Sequence, residues 1–576
     1  MNLMDGETVV ALVAGGLALL LLLLAPRVRN RLMLSRAKHR SLAGHARMSR
    51  RIAGLVPRYV YEGDLFFRAD DAGEAIAARR RTGFNALAET LRSGNGRTLR
   101  LTSEATRHIS DLQFTESYRV PFQFSPRVRA ALPAGAFVTS SEGVQVTDLD
   151  GTARYDLSGS YGVNLLGYDF YKGCMERGAR RVAELGPVLG AYPDLVADNA
   201  ARLARISGKP EVSFHMSGTE AVMQAVRLAR YHTGRSHLVR FCGAYNGWWG
   251  DVQPGVGNPI PAHDTYTLAD LSEKTLAVLR RRTDIACVLV NPIQAMHPNQ
   301  GAPADSTLIA SRPDRGVSRE TYAAWLKALR QVCTERGIVL ILDEVFVGFR
   351  LAAGGAQEYF GIEADLVTYG KTVGGGLPIG VVCGDHRLMK RFRDDRPADI
   401  CFARGTFNAH PYVMGAMNEF LLHLDSPEMK QIYRDLDETW DRRAADLNRR
   451  LAERRLPVRI RHLSSIWTVC YPTASRYHWM FQYYLKAHGI ALSWVGTGRL
   501  IFSLNFTEEQ FQAVADRFVA AAEAMQRDGW WEPGALATDR AIKRRILREM
   551  ASHLLSFPGR GRKERLAGSQ PLDAAL

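Results

Sequence analysis

The sequence predicts an α/β fold in which helices cover both faces of a mainly parallel β-sheet. From about residue 170 to about residue 420, helical and strand-like segments alternate, which is the pattern of such a sheet. Residues 338–342 form a run of β-branched and aliphatic residues that delivers Asp343 to a turn, as expected of a buried parallel strand. A second apolar run, residues 366–369, ends at Gly370 and Lys371. We therefore expect Asp343 and Lys371 to lie at one edge of the sheet.

An acid and a lysine at neighbouring strand ends suit pyridoxal phosphate chemistry. In that chemistry a lysine amine forms a Schiff base with the cofactor, and an acid partners the pyridinium nitrogen. Three glycines, residues 374–376, follow Lys371 closely and leave the backbone bare, so that a ligand can approach it. The alternative is a buried ion pair between Asp343 and Lys371 without a catalytic function, which is disfavoured because buried lysines without a role are rare.

The residues around this pair also resemble a known family. The segments that carry the resemblance are Leu-Asp-Glu-Val at 342–345, Gly-Phe-Arg at 348–350, Gly-Ala-Gln-Glu-Tyr-Phe-Gly at 355–361 and Gly-Lys-Thr-Val-Gly-Gly-Gly-Leu-Pro-Ile-Gly at 370–380. Over roughly residues 120–525 the chain resembles the class III, fold-type I aminotransferases, above all their glutamate-1-semialdehyde aminomutase branch. The resemblance implies a large domain with a mainly parallel seven-stranded sheet, a smaller α+β domain, pyridoxal 5′-phosphate as the cofactor, and Lys371 and Asp343 as the catalytic residues.

A further motif, Ser217-Gly218-Thr219, opens a segment with helical spacing. A turn of small residues at a helix N-terminus is a ready phosphate site, because its free N–H groups and the helix dipole both favour an anion. On its own the motif is weak and equally fits an ordinary helix N-cap. Since Asp343 and Lys371 follow at the distances that the resembling family shows, we assign Gly218 and Thr219 to the cofactor phosphate.

The resemblance implies four more cofactor contacts. Tyr245 is expected to stack on the pyridoxal ring, and Val345 to form an apolar wall on the opposite face of that ring. Gln294 is expected to hydrogen-bond the phenolic oxygen of the cofactor. Thr406 is expected to reach the phosphate of a neighbouring subunit, which implies a homodimer, whereas the alternative for Thr406 is an ordinary turn hydroxyl.

On the substrate side, the resemblance implies that Ser160 and Tyr161 line the mouth of the site. The chain departs from the family at Asn246, where a histidine is usual, and at Asn291, where a glutamate is usual. We assign Asn246 to the substrate side together with Ser160 and Tyr161.

Residues 9–25 form an uninterrupted run of apolar and small residues that ends at Pro26. Its length is near the lower limit of ~17–20 residues for crossing a bilayer. Asp5 and Glu7 precede the run, and basic residues crowd the stretch 27–51 after it, which is opposite to a cleaved secretory signal. By the positive-inside rule, this arrangement predicts a single-pass membrane protein with its catalytic domain in the cytoplasm. The alternatives are a buried core helix or an artefact of start-site choice.

The composition fits a globular protein and argues against a metal site and a nucleic-acid partner. The 576 residues are 46% hydrophobic and 23% charged, enough for two or three cores. The seven cysteines show no paired spacing, so we expect neither disulfides nor a metal site. The net charge of +16 coincides with no nucleic-acid-binding motif, and we expect no nucleic-acid partner. Much of the excess positive charge lies directly after residues 9–25, where the basic side chains would bind anionic lipid.

These patterns divide the chain into six regions. They are a transmembrane anchor at 1–30, a basic juxtamembrane and accessory region at 31–117, the first part of the small domain at 118–169, the large cofactor-binding domain at 170–425, the rest of the small domain at 426–528 and a basic amphipathic tail at 529–576. A long helix over about residues 427–454 is expected to enter the small domain. For the tail, lying on a membrane surface and packing against the enzyme are both open.

The leading hypothesis is an aminotransferase that moves an amino group from a small-molecule donor to an aldehyde or ketone, including a hydrophobic or membrane-delivered one. Lys371 would act as nucleophile and base, so the site must lower its pKa from roughly 10.4. One alternative is an intramolecular aminomutase of the glutamate-1-semialdehyde type, for which Arg127 or Arg129 lies near the expected position of a carboxylate-binding arginine. The other is an inactive membrane-tethered scaffold, which the presence of Lys371 and Asp343 disfavours.

Overall fold

The N-terminal part of the chain is helical in the computed structural model, which describes residues 6–40, 42–300, 316–493, 498–536 and 538–555. Its helices are α1 (Gly6–Arg36), α2 (Ala46–Ala53), α3 (Glu74–Arg92), α4 (Gly96–Thr106), α5 (Ser110–Tyr118) and α6 (Ser125–Ala131). Three antiparallel strands follow, namely β1 (Val138–Glu142), β2 (Gln145–Asp148) and β3 (Ala153–Asp156).

Seven strands form the central sheet. They are β4 (Glu211–His215), β5 (His237–Phe241), β6 (Thr265–Leu268), β7 (Ile285–Val290), β8 (Val339–Asp343), β9 (Leu366–Gly370) and β10 (Gly380–Gly384), in the spatial order β4-β10-β9-β8-β7-β5-β6. Neighbouring strands run parallel except where β10 pairs with β4 and with β9. The predicted α/β fold with a mainly parallel seven-stranded sheet is confirmed.

Helices cover both faces of this sheet. The helices between residues 168 and 424 are α7 (Tyr168–Arg181), α8 (Leu195–Ser207), α9 (Gly218–Thr233), α10 (Glu273–Arg281), α11 (Arg319–Arg336), α12 (Gly355–Phe360), α13 (His386–Met389) and α14 (Pro411–Leu424). Successive side chains of a strand point to opposite faces, and the core divides accordingly. On β8, Ile341 packs in the cluster that contains Val222 of α9, whereas Leu340 packs in the cluster that contains Leu326 of α11. Strand β8 is therefore apolar on both faces from Val339 to Leu342 and carries a carboxylate only at its last residue.

The C-terminal part completes the small sheets. Its elements are α15 (Pro427–Arg434), α16 (Leu436–Glu453), β11 (Arg459–Leu463), β12 (Ile466–Cys470), α17 (Phe481–Ala487), β13 (Ile490–Ala491), β14 (Leu500–Ile501), α18 (Glu508–Arg527) and α19 (Asp539–Leu555). Strand β13 pairs in parallel with β3, and β11, β12 and β14 form a three-stranded sheet. The single helix expected over residues 427–454 is instead two helices that meet at Asp435, whose backbone (φ −95°, ψ 3°) leaves the helical region.

The membrane prediction is wrong. Within the described ranges, no helix is both long enough and apolar enough to cross a bilayer. The apolar run is part of one helix, α1, which also contains Pro26 and an arginine-rich stretch. The prediction considered the apolar run without the rest of that helix. That second half of α1 lies against α10, where Leu32 and Ala277 line a common cleft. Beyond the helix, the carbonyl of the buried Ala37 accepts a hydrogen bond of 2.8 Å from the Ala269 N–H group, which joins this segment to the body.

The first half of the tail packs on the N-terminal region. In α19, Ile542 and Ile546 are buried. The Glu549 carboxylate accepts hydrogen bonds from the hydroxyls of Tyr61 at 2.6 Å and Tyr59 at 3.1 Å. These contacts favour packing over lying on a membrane for this helix, while residues 556–576 lie outside the described residues.

Candidate active site

A cavity of about 430 Å³ opens where the carboxyl ends of β8 and β9 meet the start of α9. We call it the sheet-edge cavity. Asp343, Lys371, Gly218 and Thr219 all line it. The structure therefore brings the acid, the amine and the phosphate-binding turn expected from the sequence to one place.

Asp343 is the last residue of β8 and is 3% exposed. Its Oδ2 accepts a hydrogen bond of 2.8 Å from the Asn246 amide, and its Oδ1 accepts one of 3.2 Å from the Val345 N–H group. Burial raises the pKa of Asp343, whereas the hydrogen bond from Asn246 and the charge of Lys371 oppose that rise. The carboxylate is thus oriented within a site that offers it little water.

Lys371 is the first residue after β9 and has a left-handed backbone with a φ of 53°. This conformation is strained by about 1–2 kcal/mol for a residue with a Cβ, and such strain occurs at functional sites. The Lys371 Nζ lies 5.3 Å from the centre of the Phe346 ring. Burial is the main cause that lowers the pKa of Lys371, and Arg499 and Arg350 lower it further, while Asp343 opposes them. The site thus favours the neutral amine, which is the nucleophilic and basic form.

The turn at the start of α9 has the form of an anion site. Ser217 is the N-cap, and its side chain accepts a hydrogen bond of 3.3 Å from the Glu220 N–H group. The amides of Gly218 and Thr219 belong to the first helical turn, whose N–H groups have no partner within the helix. A Cβ at Gly218 would lie 2.5 Å from Val345 Cγ1. Only glycine therefore allows the turn and the Val345 side chain to approach this closely.

Tyr245 and Val345 also line the sheet-edge cavity, as a stacking pair around a flat ring requires. The Tyr245 side chain is 61% exposed, and the main-chain oxygen of this residue accepts a hydrogen bond of 2.6 Å from the Asn291 amide. Asn291, where the family usually has a glutamate, thus holds the Tyr245 loop to the end of β7. The roles of Tyr245 and Val345 on the cofactor remain predictions.

Other predicted residues lie elsewhere. Gln294 is buried but does not line the cavity, and its Oε1 finds no hydrogen-bond partner among the described residues. Ser160 and Tyr161 also lie outside the lining, with backbone φ angles of 45° and 58°, and the Ser160 hydroxyl lies 3.1 Å from that of Tyr168. Thr406 is exposed on a turn away from the cavity. These placements leave the four assigned roles as predictions.

Asn246 lines the cavity, but its amide holds Asp343. This contact joins residues 97 positions apart in the chain, and no local pattern signals it. The structure therefore gives Asn246 a positioning contact with the acid in addition to any contact with substrate.

Sequence reasoning missed two residues beside Lys371. Phe346 lines the cavity, and its position directly after Val345 was the available signal. The guanidinium of Arg499 lies 5.4 Å from the centre of the Phe346 ring, and its Nη2 lies 3.3 Å from the His297 ring. No motif in the sequence around Arg499 signals this position.

The two arginines considered for a substrate carboxylate lie away from the cavity. The Arg127 guanidinium lies 4.5 Å from the centre of the Phe67 ring and donates a hydrogen bond of 2.9 Å to the Gly63 carbonyl. Arg129 is exposed on α6. Neither side chain lines the sheet-edge cavity.

A family model described as aminotransferase class-III matches residues 127–253 and 314–522. A glutamate-1-semialdehyde 2,1-aminomutase of Hyperthermus butylicus is 37% identical over 295 residues, which cover 50% of this chain and 66% of that enzyme. The enzyme of the same name from Alkaliphilus oremlandii is 34% identical over 340 residues, which cover 55% of this chain and 74% of that one.

Solved structures show the same fold. A transaminase with pyridoxal phosphate bound is 28% identical to this chain, with a TM-score of 0.57 over 68% of this chain and 91% of that one. A glutamate-1-semialdehyde aminomutase of Pseudomonas aeruginosa is 18% identical, with a TM-score of 0.61 over 78% of this chain and 98% of that one. At that identity the second likeness is one of fold alone.

Proposed function

Because the chain belongs to the class-III aminotransferase family, we propose that it moves an amino group from a small-molecule donor to an aldehyde or ketone, with Lys371 as the cofactor-bearing amine. The chain is a pyridoxal-phosphate-dependent aminotransferase. What supports the assignment of Lys371 is one observation, namely that this amine and the carboxylate of Asp343 share the sheet-edge cavity with the start of α9. The same observation disfavours the alternative hypothesis of an inactive scaffold.

The residues of the cavity fit pyridoxal phosphate. The first turn of α9 suits its phosphate, because free N–H groups and the helix dipole meet there. Asn246 Oδ1 is buried without a hydrogen-bond partner among the described residues, which marks a polar group for a ligand or water to satisfy. Because Gly218 has no Cβ, the Val345 side chain can form one wall of the cavity without a clash. Gly218 and Thr219 would hold the phosphate, and Tyr245 and Val345 would enclose the ring.

When bound, pyridoxal phosphate supplies an aldehyde that condenses with amines and a ring that withdraws electrons from the carbon beside the nitrogen. Asp343 would stabilise a proton on the ring nitrogen, because a buried carboxylate favours a positive charge beside it. The hydrogen bonds from Asn246 and from the Val345 N–H group orient the carboxylate for that task.

Lys371 would first act as the nucleophile and then move the substrate proton. A neutral Nζ takes a proton from the substrate carbon that carries nitrogen, and the lowered pKa of Lys371 keeps Nζ neutral more often near pH 7. The Phe346 ring lies beside this amine, with its centre 5.3 Å from Nζ. Gly162 closes the site further, since a Cβ there would lie 2.6 Å from the Phe346 ring and 3.3 Å from Lys371 Cδ.

An intramolecular aminomutase is the second candidate, favoured by the names of the curated relatives. Against it, the positions of Arg127 and Arg129 supply no carboxylate partner at the cavity. Arg499 lies near Lys371 instead and would serve either reaction. We therefore place external amino transfer first.

A half-reaction separates the two candidates. Holoenzyme is mixed with a panel of amino donors without any carbonyl acceptor, and released carbonyl product is quantified against bound cofactor. Amino transfer predicts about one product per site from at least one donor. No product from any donor, together with turnover of glutamate-1-semialdehyde, would assign the chain to the mutase reaction.

A homodimer would account for the exposed position of Thr406. This hydroxyl is exposed, and Phe402 and Phe407 on the same segment are 67% and 47% exposed. Apolar side chains of this size on one segment favour burial against another surface. We propose that Thr406 of one copy reaches the cavity of a second copy. Light scattering of the holoenzyme should then give twice the chain mass, and a monomer with full activity would contradict the proposal.

A further inference from the structure

A second cavity, of about 390 Å³, lies between the N-terminal helices and the small domain. We call it the accessory cavity. Its walls come from α3 and α4, from one face of β2 and β3, and from α17. It shares no lining residue with the sheet-edge cavity. A volume of this size falls within the usual range of small-molecule sites.

The accessory cavity is lined by three cationic side chains and two carboxylates. Lys486 of α17, Arg119 and Arg154 all line it. Arg154 is paired, since it donates hydrogen bonds to Asp148 at 2.6 Å and to Asn95 at 3.0 Å. Within the described part of the chain, Lys486 Nζ makes no hydrogen bond or ion pair, and the buried Nε of Arg119 has no hydrogen-bond partner.

The carboxylates of the lining are already engaged by other groups. Asp148 holds Arg154 and also accepts hydrogen bonds from the turn that follows β2. Asp156 accepts hydrogen bonds of 2.8 Å from the Ser158 N–H group and of 2.7 Å from the Tyr168 hydroxyl. The positive charge of Lys486 and Arg119 is therefore left without a bound counter-charge.

The electrostatics agree with this geometry. Burial, together with the charges of Arg119 and Arg154, lowers the pKa of Lys486 to about 7, while Asp148 opposes them. A bound anion would remove this repulsion and restore the charged amine. The rest of the wall is largely apolar, with Leu91, Leu99, Val138, Val146 and Leu492 among its residues.

We propose that the accessory cavity binds an organic anion whose carboxylate or phosphate group contacts Lys486 and Arg119 and whose apolar body lies against the aliphatic wall. Gln482, which is 4% exposed and lines the cavity, has a buried Oε1 without a partner among the described residues. It would accept a hydrogen bond from a ligand that also carries an O–H or N–H group. The proposal goes beyond the amino-transfer reaction and does not depend on it.

Calorimetry of the holoenzyme with three probes of equal chain length tests the proposal. Hexanoate, hexyl phosphate and 1-hexanol share their apolar body and differ in the head group. We expect saturable one-to-one binding of hexanoate, hexyl phosphate or both, and binding of hexanol at least about tenfold weaker, because a hydrogen bond to a charged group is worth that much or more. The stronger of the two anions identifies the head group.

Variants locate the binding. Lys486→Met should weaken the affinity for the anion by about tenfold or more, whereas Lys486→Arg should retain most of that affinity. Lys327→Met, at an exposed position of α11, is the matched control and should leave the affinity unchanged. Thermal unfolding of each variant verifies that it is folded, and Arg119→Met provides a second removal of charge. Binding of hexanol as tight as that of the anions, anion binding that survives both Lys486→Met and Arg119→Met, or no binding of either anion would overturn the proposal.

Discussion

Two lysines with a lowered pKa lie in two different cavities of this molecule. Lys371 in the sheet-edge cavity faces the carboxylate of Asp343, which opposes the effect of burial. Lys486 in the accessory cavity faces Arg119 and Arg154, which add to the effect of burial. Burial alone therefore does not make a catalytic amine. What differs is the strongest neighbouring charge, which is Asp343 for Lys371, ahead of Arg499 and Arg350, and Arg119 for Lys486, ahead of Arg154 and Asp148. The first cavity therefore suits a cofactor with a protonated ring, and the second suits an anion.

Removal of the proposed catalytic amine should have the largest effect. Lys371→Ala deletes both the nucleophile and the base, so we expect amino transfer to fall by about 10⁴-fold or more. Lys327→Ala, at an exposed site, should retain activity. Steady-state turnover measures both. Substantial activity in Lys371→Ala would show that the comparison rests on the wrong lysine.

The acid of the same cavity should come next. Asp343→Asn keeps the shape of the side chain but removes its charge, so we expect kcat to fall by about 10²–10³-fold, with a smaller loss of cofactor affinity. Turnover and a cofactor titration followed by absorbance separate the two quantities. A loss of affinity as large as the loss of rate would mean that Asp343 serves mainly to hold the cofactor.

The turn at the start of α9 permits a test by overpacking. Gly218→Ala introduces a Cβ that would lie 2.5 Å from Val345 Cγ1. Side chains forced into a packed site typically destabilise by about 1–3 kcal/mol, and we expect such a loss in the free energy of urea unfolding. The double variant Gly218→Ala/Val345→Ala should recover part of it. Full stability of the single variant would show that the turn has room that the structure does not indicate.

The accessory cavity should show the smallest effect, and one of opposite sign. Lys486 has a folded-state pKa of about 7, below the roughly 10.4 of an unfolded chain. Below pH 7 the lysine is charged in both states, and the folded state bears the full penalty of burying that charge beside Arg119 and Arg154. As the pH rises from 7 towards 10, the folded state releases the proton and the penalty disappears. Lys486→Met should therefore stabilise the fold by on the order of 1 kcal/mol at pH 6 and by almost nothing at pH 10.

Urea unfolding at pH 6, 8 and 10 measures this dependence. Lys486→Arg, which stays charged throughout, is the control: compared with the unsubstituted protein it should be nearly neutral at pH 6 and increasingly destabilising towards pH 10. A gain from Lys486→Met that is independent of pH would mean that packing rather than charge sets the effect.

The central sheet and the meeting of Asp343 and Lys371 at its edge could be predicted from the sequence. Strand ends in parallel sheets meet at one edge, so Asp343 and Lys371 could be placed together from two short apolar runs. The break at Asp435 was not predictable, because helical spacing continues on both sides of it. The membrane prediction failed because it judged residues 9–25 apart from the helix that contains them.

The other features of the two cavities depend on contacts between residues that are distant in the sequence. The hydrogen bond between Asn246 and Asp343, the position of Arg499 beside Phe346, and the accessory cavity depend on how separate segments pack. Composition and spacing do not encode such pairs. Resemblance to a family gave several site roles, but the structure leaves Gln294 and Thr406 outside the cavity, and those roles await experiment.

The central claim is that the amine at position 371 carries the cofactor. Purified protein is loaded with pyridoxal phosphate, reduced with borohydride and digested, and the peptides are sequenced by mass spectrometry. We expect a single stable pyridoxyl adduct on Lys371, with none on Lys486. An adduct found on another residue, or none on a protein that binds the cofactor, would contradict the account.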